Sequence, residues 1–214
     1  MASDAELRSM IAAQRREVAD VLDGLSEAQV AHPSLCSGWT VKDVAVHLTI
    51  PLHVGLGRFA VALLGARGNF DRAMTKLVAK ESGRSKVDVA RELRDQAEHP
   101  FTPPGGYGPT APLVDLLVHT QDICRPLGLA RRLIPDRTQA ALVGLGSKKF
   151  DKVLKRERFT GLRFEAMDLD FTSGAGQTVI GPGEALLLTL LDRPIALDDL
   201  SGDGVALLRT RLAS

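Results

Sequence analysis

The segment DLLVHTQDICRPLG, residues 115–128, carries three side chains that could bind a metal on one stripe of a predicted helix. Asp115, His119 and Asp122 stand at i, i+4 and i+7, and a helix turns about 100° per residue, so they fall within about 60° of arc. Carboxylate oxygens and imidazole nitrogens are ligands that zinc takes in proteins. The stripe predicts that these side chains converge on one point. The competing interpretation is an ordinary polar pair on a solvated helix.

His47, in VKDVAVHLTI, is the histidine that could meet this stripe. Its neighbours are mostly apolar, which places it at or near the core on a second helix. In an up-and-down bundle the second and fourth helices both present side chains inward, so His47 could face Asp115 and His119 across the interior. Two imidazoles and one carboxylate, with a fourth position open, form the ligand set of a catalytic zinc. A hydrogen-bonded core histidine is the alternative. His53 lies about 240° further around the helix and cannot serve the same metal.

Five amphipathic helices followed by a small β-rich tail are predicted to position these residues. Apolar residues recur at three- and four-residue spacing through the first part of the chain. Thr40 with Asp43 marks the start of the second helix, and Pro51 is expected to kink or split it. From Gly161 the pattern alternates, which predicts a hairpin between LRFEAMDLDF and QTVIG. The predicted fold is mainly α, with a four-helix bundle over residues 1–155 and a small C-terminal α+β appendage over residues 156–214. The predicted helices cover residues 3–25, 41–66, 85–99 and 135–157, and a fourth helix lies in the segment 115–128, where Pro126 and Gly128 end it.

The composition excludes several classes of function. Lys and Arg number 27 against 26 Asp and Glu, a formal charge of +1, so nothing marks a surface for nucleic acid or an anionic membrane. The two cysteines, Cys36 and Cys124, lack the spacing of a zinc ribbon or a disulfide framework, and we interpret them as small packing residues. No apolar run reaches the roughly 18 residues of a membrane span, and the N-terminus lacks a signal-peptide core. We expect a cytoplasmic protein, monomer or homodimer, whose partners are small molecules.

Three segments, SGWTVKDVAVHL, DLLVHTQDICRPLG and GPGEALLLTLLDRP, resemble the mycothiol-dependent maleylpyruvate isomerase family, a branch of the DinB-like four-helix-bundle metalloenzymes. The similarity spans nearly the whole chain. It implies a divalent metal, usually zinc, held by His47, Asp115 and His119. It also implies mycothiol, the thiol that actinobacteria use in place of glutathione, as cosubstrate. The isomerase that names the family has glutamate at the position of Asp115, so the metal affinity or geometry is expected to differ.

The resemblance implies thiol chemistry on a small electrophile. A metal deprotonates a bound thiol and so provides a nucleophile at neutral pH. If the thiol stays attached to the electrophile, the enzyme is an S-transferase; if it leaves after rotation about a cis double bond, the enzyme is an isomerase. The sequence does not choose between them. Two alternatives stay open: a non-catalytic member of the fold that binds metal or a small ligand as a sensor or partner module, and a helical interaction protein without metal.

Three further residues are candidates for supporting roles. Asp122 could accept the proton of the non-ligating nitrogen of His119, or it could be a surface acid near a helix end. The family has an arginine near Arg193 that can face a substrate carboxylate, although a helix-ending role is the alternative. Tyr107, in the proline-rich loop PFTPPGGYGPT, could reach the substrate or simply anchor that loop. GAGQTVIG lacks the spacing of a phosphate-binding loop and is excluded.

Overall fold

The computed structural model describes residues 2–129 and 133–213, and the chain divides into two compact units. Arg8–Phe101 with Asp115–Arg131 form the helical unit, and Met1–Leu7, Thr102–Val114 and Arg132–Ser214 form the mixed unit. The described residues are mainly helical with one small sheet, which confirms the predicted class. The boundary predicted near residue 155 stays a prediction. None of the described helices has the length and hydropathy needed to cross a membrane.

The helical unit packs its helices around one central element. Helix α3 (Val41–His53) contacts α2 (Glu27–Val30), α5 (Phe70–Lys80) and α6 (Lys86–Asp95), and α4 (Leu56–Gly65) contacts α5. Most residues of α3 are buried, and the core of the unit contains fully buried Leu22, Ile50, Leu93 and Leu117. The helices that lie wholly or mostly in this unit are α1 (Asp4–Asp23), α2 (Glu27–Val30), α3 (Val41–His53), α4 (Leu56–Gly65), α5 (Phe70–Lys80), α6 (Lys86–Asp95) and α7 (Thr110–Cys124).

Local chemistry fixes where α3 begins and ends. The Thr40 hydroxyl accepts from the backbone N–H of Asp43, and the Asp43 carboxylate accepts from the backbone N–H of Thr40, which confirms the predicted start. Pro51 lies in the last turn of α3, and the helix ends at His53. Val54 is extended, with φ −87° and ψ 100°. The predicted split therefore occurs, but three residues after the proline.

Buried polar contacts tie α1 to α7 and to the end of α6. The amide of Gln14 donates to the Thr120 hydroxyl at 3.1 Å, and both side chains are buried. Arg15, only 3% exposed, donates to three backbone carbonyls after the end of α6, those of Gln96, Ala97 and His99. Burial lowers the pKa of Arg15 to about 10, so it stays charged at neutral pH. Its guanidinium therefore fixes the turn that follows α6 against α1.

The mixed unit contains the sheet and the helices that follow α7. Strand β1 (Leu162–Ala166) is central, with β2 (Thr172–Gly174) antiparallel on one side and β3 (Gln177–Gly181) parallel on the other. The predicted hairpin between LRFEAMDLDF and QTVIG is therefore wrong, because QTVIG pairs in parallel with the first strand. The predicted fifth helix also ends early, at Leu145. The helices are α8 (Pro135–Leu145), α9 (Asp151–Leu154), α10 (Gly183–Leu190) and α11 (Val205–Leu212), with single 3₁₀ turns at Lys148–Phe150, Arg156–Phe159 and Pro194–Asp199.

Glycines explain why β2 and β3 can lie on opposite sides of β1. Only two residues separate the end of β2 at Gly174 from the start of β3 at Gln177. This short connection must cross the start of β1, so its backbone lies very close to that strand. Gly174 and Gly176 have φ of +85° and +127°, and a Cβ on Gly176 would stand 2.0 Å from the carbonyl oxygen of Gly161. Only glycine fits such a passage. The SGAG segment is thus a crossover rather than a hairpin turn.

Candidate metal centre

The structure brings the three predicted metal ligands together where α3 and α7 meet in the helical unit. His47 projects from α3, and Asp115 and His119 project from α7. Nε2 of His47 lies 3.5 Å from Oδ2 of Asp115, and Nε2 of His119 lies 3.4 Å from Oδ1 of the same carboxylate. The two imidazole centroids are 4.7 Å apart, edge to face. The shorter aspartate side chain therefore reaches both rings.

The spacing of these donor atoms fits a divalent metal better than direct hydrogen bonds. A charge-assisted N–H···O hydrogen bond measures about 2.7–2.9 Å, which is clearly shorter than the two separations observed. Zinc binds nitrogen at about 2.0–2.1 Å and oxygen at about 2.0–2.2 Å, so two ligands at a tetrahedral angle stand about 3.4 Å apart. The two nitrogen–oxygen separations, each to a different oxygen of Asp115, are close to that value, and one donor atom from each of the three residues lies within 4.8 Å of the other two. Two imidazoles and one carboxylate are also a ligand set that zinc accepts.

The donor set is enclosed on one side and open on the other. The side chains of His47 and His119 are 9% and 13% exposed, whereas that of Asp115 is 42% exposed. The indole of Trp39 lies 5.3 Å from the ring of His47 and supports it. Nδ1 of His47 is buried without a hydrogen-bond partner among the described residues, so packing sets the orientation of this ring. Access to the centre is on the side of Asp115.

Asp122 supports His119 from behind. Its carboxylate is completely buried, and Oδ2 lies 2.8 Å from Nδ1 of His119, so it accepts the proton of that nitrogen. This leaves Nε2 to face Asp115. Carboxylates that hold the second nitrogen of a ligand histidine in this way fix its tautomer and ring orientation. Because Asp122 is buried, it is not the surface acid of the alternative interpretation.

The charges of the cluster act on one another. Burial disfavours the charged form of Asp115, but His47 and His119 outweigh it and hold the pKa of that carboxyl well below its usual range. Burial also acts against the protonated form of His119, yet Asp115 and Asp122 raise the pKa of the ring well above its ordinary value. Without metal, the carboxylate is therefore ionised and His119 keeps its proton at neutral pH. A metal must displace that proton to bind.

Cys36 also belongs to the cluster, and the sequence analysis missed it. Its thiol donates to Oδ2 of Asp122 at 3.2 Å and lies 3.7 Å from Nδ1 of His119. These three side chains could themselves hold a metal, but the 2.8 Å contact between Asp122 and His119 has the length of a hydrogen bond rather than of two metal ligands. The only local signal is that Cys36 stands four residues before the N-cap of α3.

The remaining candidates have contacts of their own within each unit. Tyr107 and Arg193 belong to the mixed unit, where the ring of Tyr107 packs 5.2 Å from that of Phe150, which favours a loop anchor. Arg193 follows α10, and its guanidinium donates to the carbonyl of Leu191 at 2.6 Å. The substrate contacts suggested for both residues stay predictions. His53 contacts two carboxylates of the helical unit, Glu81 and Glu92, each at 2.8 Å.

Comparison with known proteins adds one finding. Residues 11–102 match the family model described as the mycothiol maleylpyruvate isomerase N-terminal domain. The matched segment includes His47 and Cys36 and ends before α7. Searches of curated proteins and of solved structures give no match. The match supports the resemblance expected from the motifs over residues 11–102, the part of the chain that includes SGWTVKDVAVHL.

Proposed function

We propose that this protein is a metal-dependent enzyme that uses mycothiol as a thiol cosubstrate and acts on a small electrophile, as an S-transferase or a thiol-assisted isomerase. The observation that carries the proposal is the spacing of His47, Asp115 and His119, whose nitrogen–oxygen separations of 3.4 and 3.5 Å suit two ligands of one zinc ion. The family match supports mycothiol as the thiol. The arrangement of the helical unit is compatible with a DinB-like bundle, which we propose as its fold.

The residues of the chain prepare the site for a thiol. A bound zinc ion would act as a Lewis acid and lower the pKa of a thiol. Asp115 supplies one negative charge and the two neutral histidines none, so the donor set does not cancel a divalent charge and favours an anionic sulfur. Asp122 keeps a proton on Nδ1 of His119 and so leaves its Nε2 lone pair for the metal. Buried side chains of α3 exclude water behind the rings, and the cosubstrate approaches past Asp115, whose side chain is partly exposed.

The cysteines of the chain are compatible with this chemistry. Neither Cys36 nor Cys124 forms a disulfide, as expected for a reducing compartment that also keeps a thiol cosubstrate reduced. We therefore propose the cytoplasm as its location.

One experiment tests the activity and separates the two reaction types. Zinc-loaded protein is mixed with mycothiol and either a cis-unsaturated keto acid or an alkylating electrophile, and both thiol loss and isomer formation are followed. An isomerase regenerates the thiol, whereas a transferase consumes one thiol per product. We expect turnover that requires mycothiol and is lost in His119→Ala. Full metal occupancy without mycothiol-dependent turnover of any electrophile would contradict the proposal and favour a non-catalytic metal-binding module.

A further inference from the structure

We infer that Cys36 is a positioning residue of the metal centre, which acts on the ligand His119 through the buried carboxylate of Asp122. The inference rests on the proposed metal centre. It assigns a role to Cys36, whose thiol lies near Nδ1 of His119 and not near the Nε2 that faces Asp115. Cys36 and Asp122 both belong to the helical unit.

The contacts place two donors on one carboxylate oxygen. Oδ2 of Asp122 accepts from the thiol of Cys36 at 3.2 Å and from Nδ1 of His119 at 2.8 Å. The carboxylate has no exposed surface, so bulk water cannot take the place of a donor that is removed. With both donors present, rotation of the carboxylate is restricted, and the direction of the His119 ring is restricted with it.

The loop that carries Cys36 also fastens the two ligand-bearing helices to each other. The backbone N–H of Leu35 donates to the backbone carbonyl of Asp122 in the last turn of α7 at 3.2 Å. Within the loop, the hydroxyl of Ser34 accepts from the N–H of Cys36 and donates to the carbonyl of Trp39. The next residue, Thr40, caps α3, which carries His47. The thiol of Cys36 is thus the side-chain link between the start of α3 and the support of His119.

A thiol is a weak hydrogen-bond donor, so its loss weakens the site without destroying it. Removing a direct partner of a ligand histidine typically costs about 10- to 100-fold in metal affinity. The Cys36 thiol lies 3.7 Å from Nδ1 of His119, further than the Asp122 carboxylate at 2.8 Å. We therefore expect about a threefold to tenfold loss of affinity for Cys36→Ala, smaller than the loss for Asp122→Asn.

The test measures Zn²⁺ and Co²⁺ affinity by competition with a chromophoric chelator for the wild type, Cys36→Ala, Cys36→Ser and Asp122→Asn. A serine hydroxyl can donate to the same oxygen, so Cys36→Ser is expected to bind metal more tightly than Cys36→Ala. If Cys36 only filled space, the polar serine would do no better than alanine. Cys124→Ala, which removes the other cysteine from a buried position on α7, is the matched control and is expected to keep the wild-type affinity.

A second readout needs no metal. The infrared S–H stretching band of Cys36, isolated in the Cys124→Ala background, is expected at lower frequency than that of a thiol without a carboxylate partner, and Asp122→Asn is expected to move it. The inference is overturned if the wild type and Cys36→Ala bind metal equally tightly and Asp122→Asn does not shift the S–H band. The proposed metal centre is unaffected by that result. A wild-type protein that takes no metal overturns the proposed function, and the inference falls with it.

Discussion

Replacing Asp122 by asparagine tests whether the buried carboxylate prepares His119 as a metal ligand. The change keeps the volume of the side chain but removes the negative charge that accepts from Nδ1 of His119 at 2.8 Å. The loss of such a partner lowers metal affinity about 10- to 100-fold, which equals about 1.4–2.7 kcal/mol of binding free energy. If zinc binds at the candidate centre, it should therefore stabilise the variant less than the wild type.

Thermal unfolding with and without zinc measures this difference. At a free zinc concentration of about 1,000 times the wild-type Kd, zinc stabilises the wild type by about 4.1 kcal/mol, whereas a variant with 100-fold weaker binding gains about 1.4 kcal/mol. Each kcal/mol shifts Tm by about 2–4 °C in a chain of this size. We expect the zinc-induced rise in Tm to be smaller in Asp122→Asn by about 3–11 °C over the 10- to 100-fold range.

Asp43→Asn provides the matched control. Asp43 belongs to the capping box of α3, so its loss is expected to lower the Tm of the metal-free protein while leaving the zinc-induced rise unchanged. An Asp122→Asn variant with the full zinc-induced rise would show that this carboxylate has only a structural role.

Three more outcomes follow from the structure. Thr40→Ala removes the side-chain acceptor at the start of α3 and should lower the free energy of unfolding by about 1 kcal/mol in urea titrations; an unchanged value would mean that the cap contributes nothing. Leu117→Ala empties a fully buried position on α7 and should cost about 2–5 kcal/mol by the same measurement; a cost below 1 kcal/mol would contradict the packing described. Zinc binding should release a proton near neutral pH, because the raised pKa of His119 keeps its ring protonated in the metal-free protein, so zinc affinity falls as the pH is lowered. Calorimetry in two buffers of different ionisation enthalpy measures that proton, and identical heats would show that none is released.

Local patterns predicted those features of the candidate metal centre that depend on residues close together in the chain. Thr40 and Asp43 fixed the start of α3 because a capping box needs only residues three apart. The helical period placed Asp115, His119 and Asp122 on one stripe. The meeting of His47 with that stripe needed the packing of α3 on α7, and its prediction came from bundle topology and from the family resemblance.

Contacts between distant residues explain what the sequence did not predict. Cys36 gains its role from a carboxylate 86 residues away, and nothing in the residues around it indicates that contact. The pairing of QTVIG with β1 depends on the close passage at Gly174 and Gly176, whereas strand periodicity is the same for parallel and antiparallel neighbours.

Metal analysis of untagged protein tests the proposed centre without assuming a substrate. The wild type, His47→Ala, Asp115→Ala and His119→Ala are purified in parallel with His32→Ala, a control at an exposed loop histidine, and each is equilibrated with zinc before elemental analysis. We expect about one zinc per chain in the wild type and in the control, and loss of that zinc in the other three variants. Wild-type protein that stays metal-free, or a His47→Ala variant that keeps the full zinc content, would contradict the ligand set of His47, Asp115 and His119.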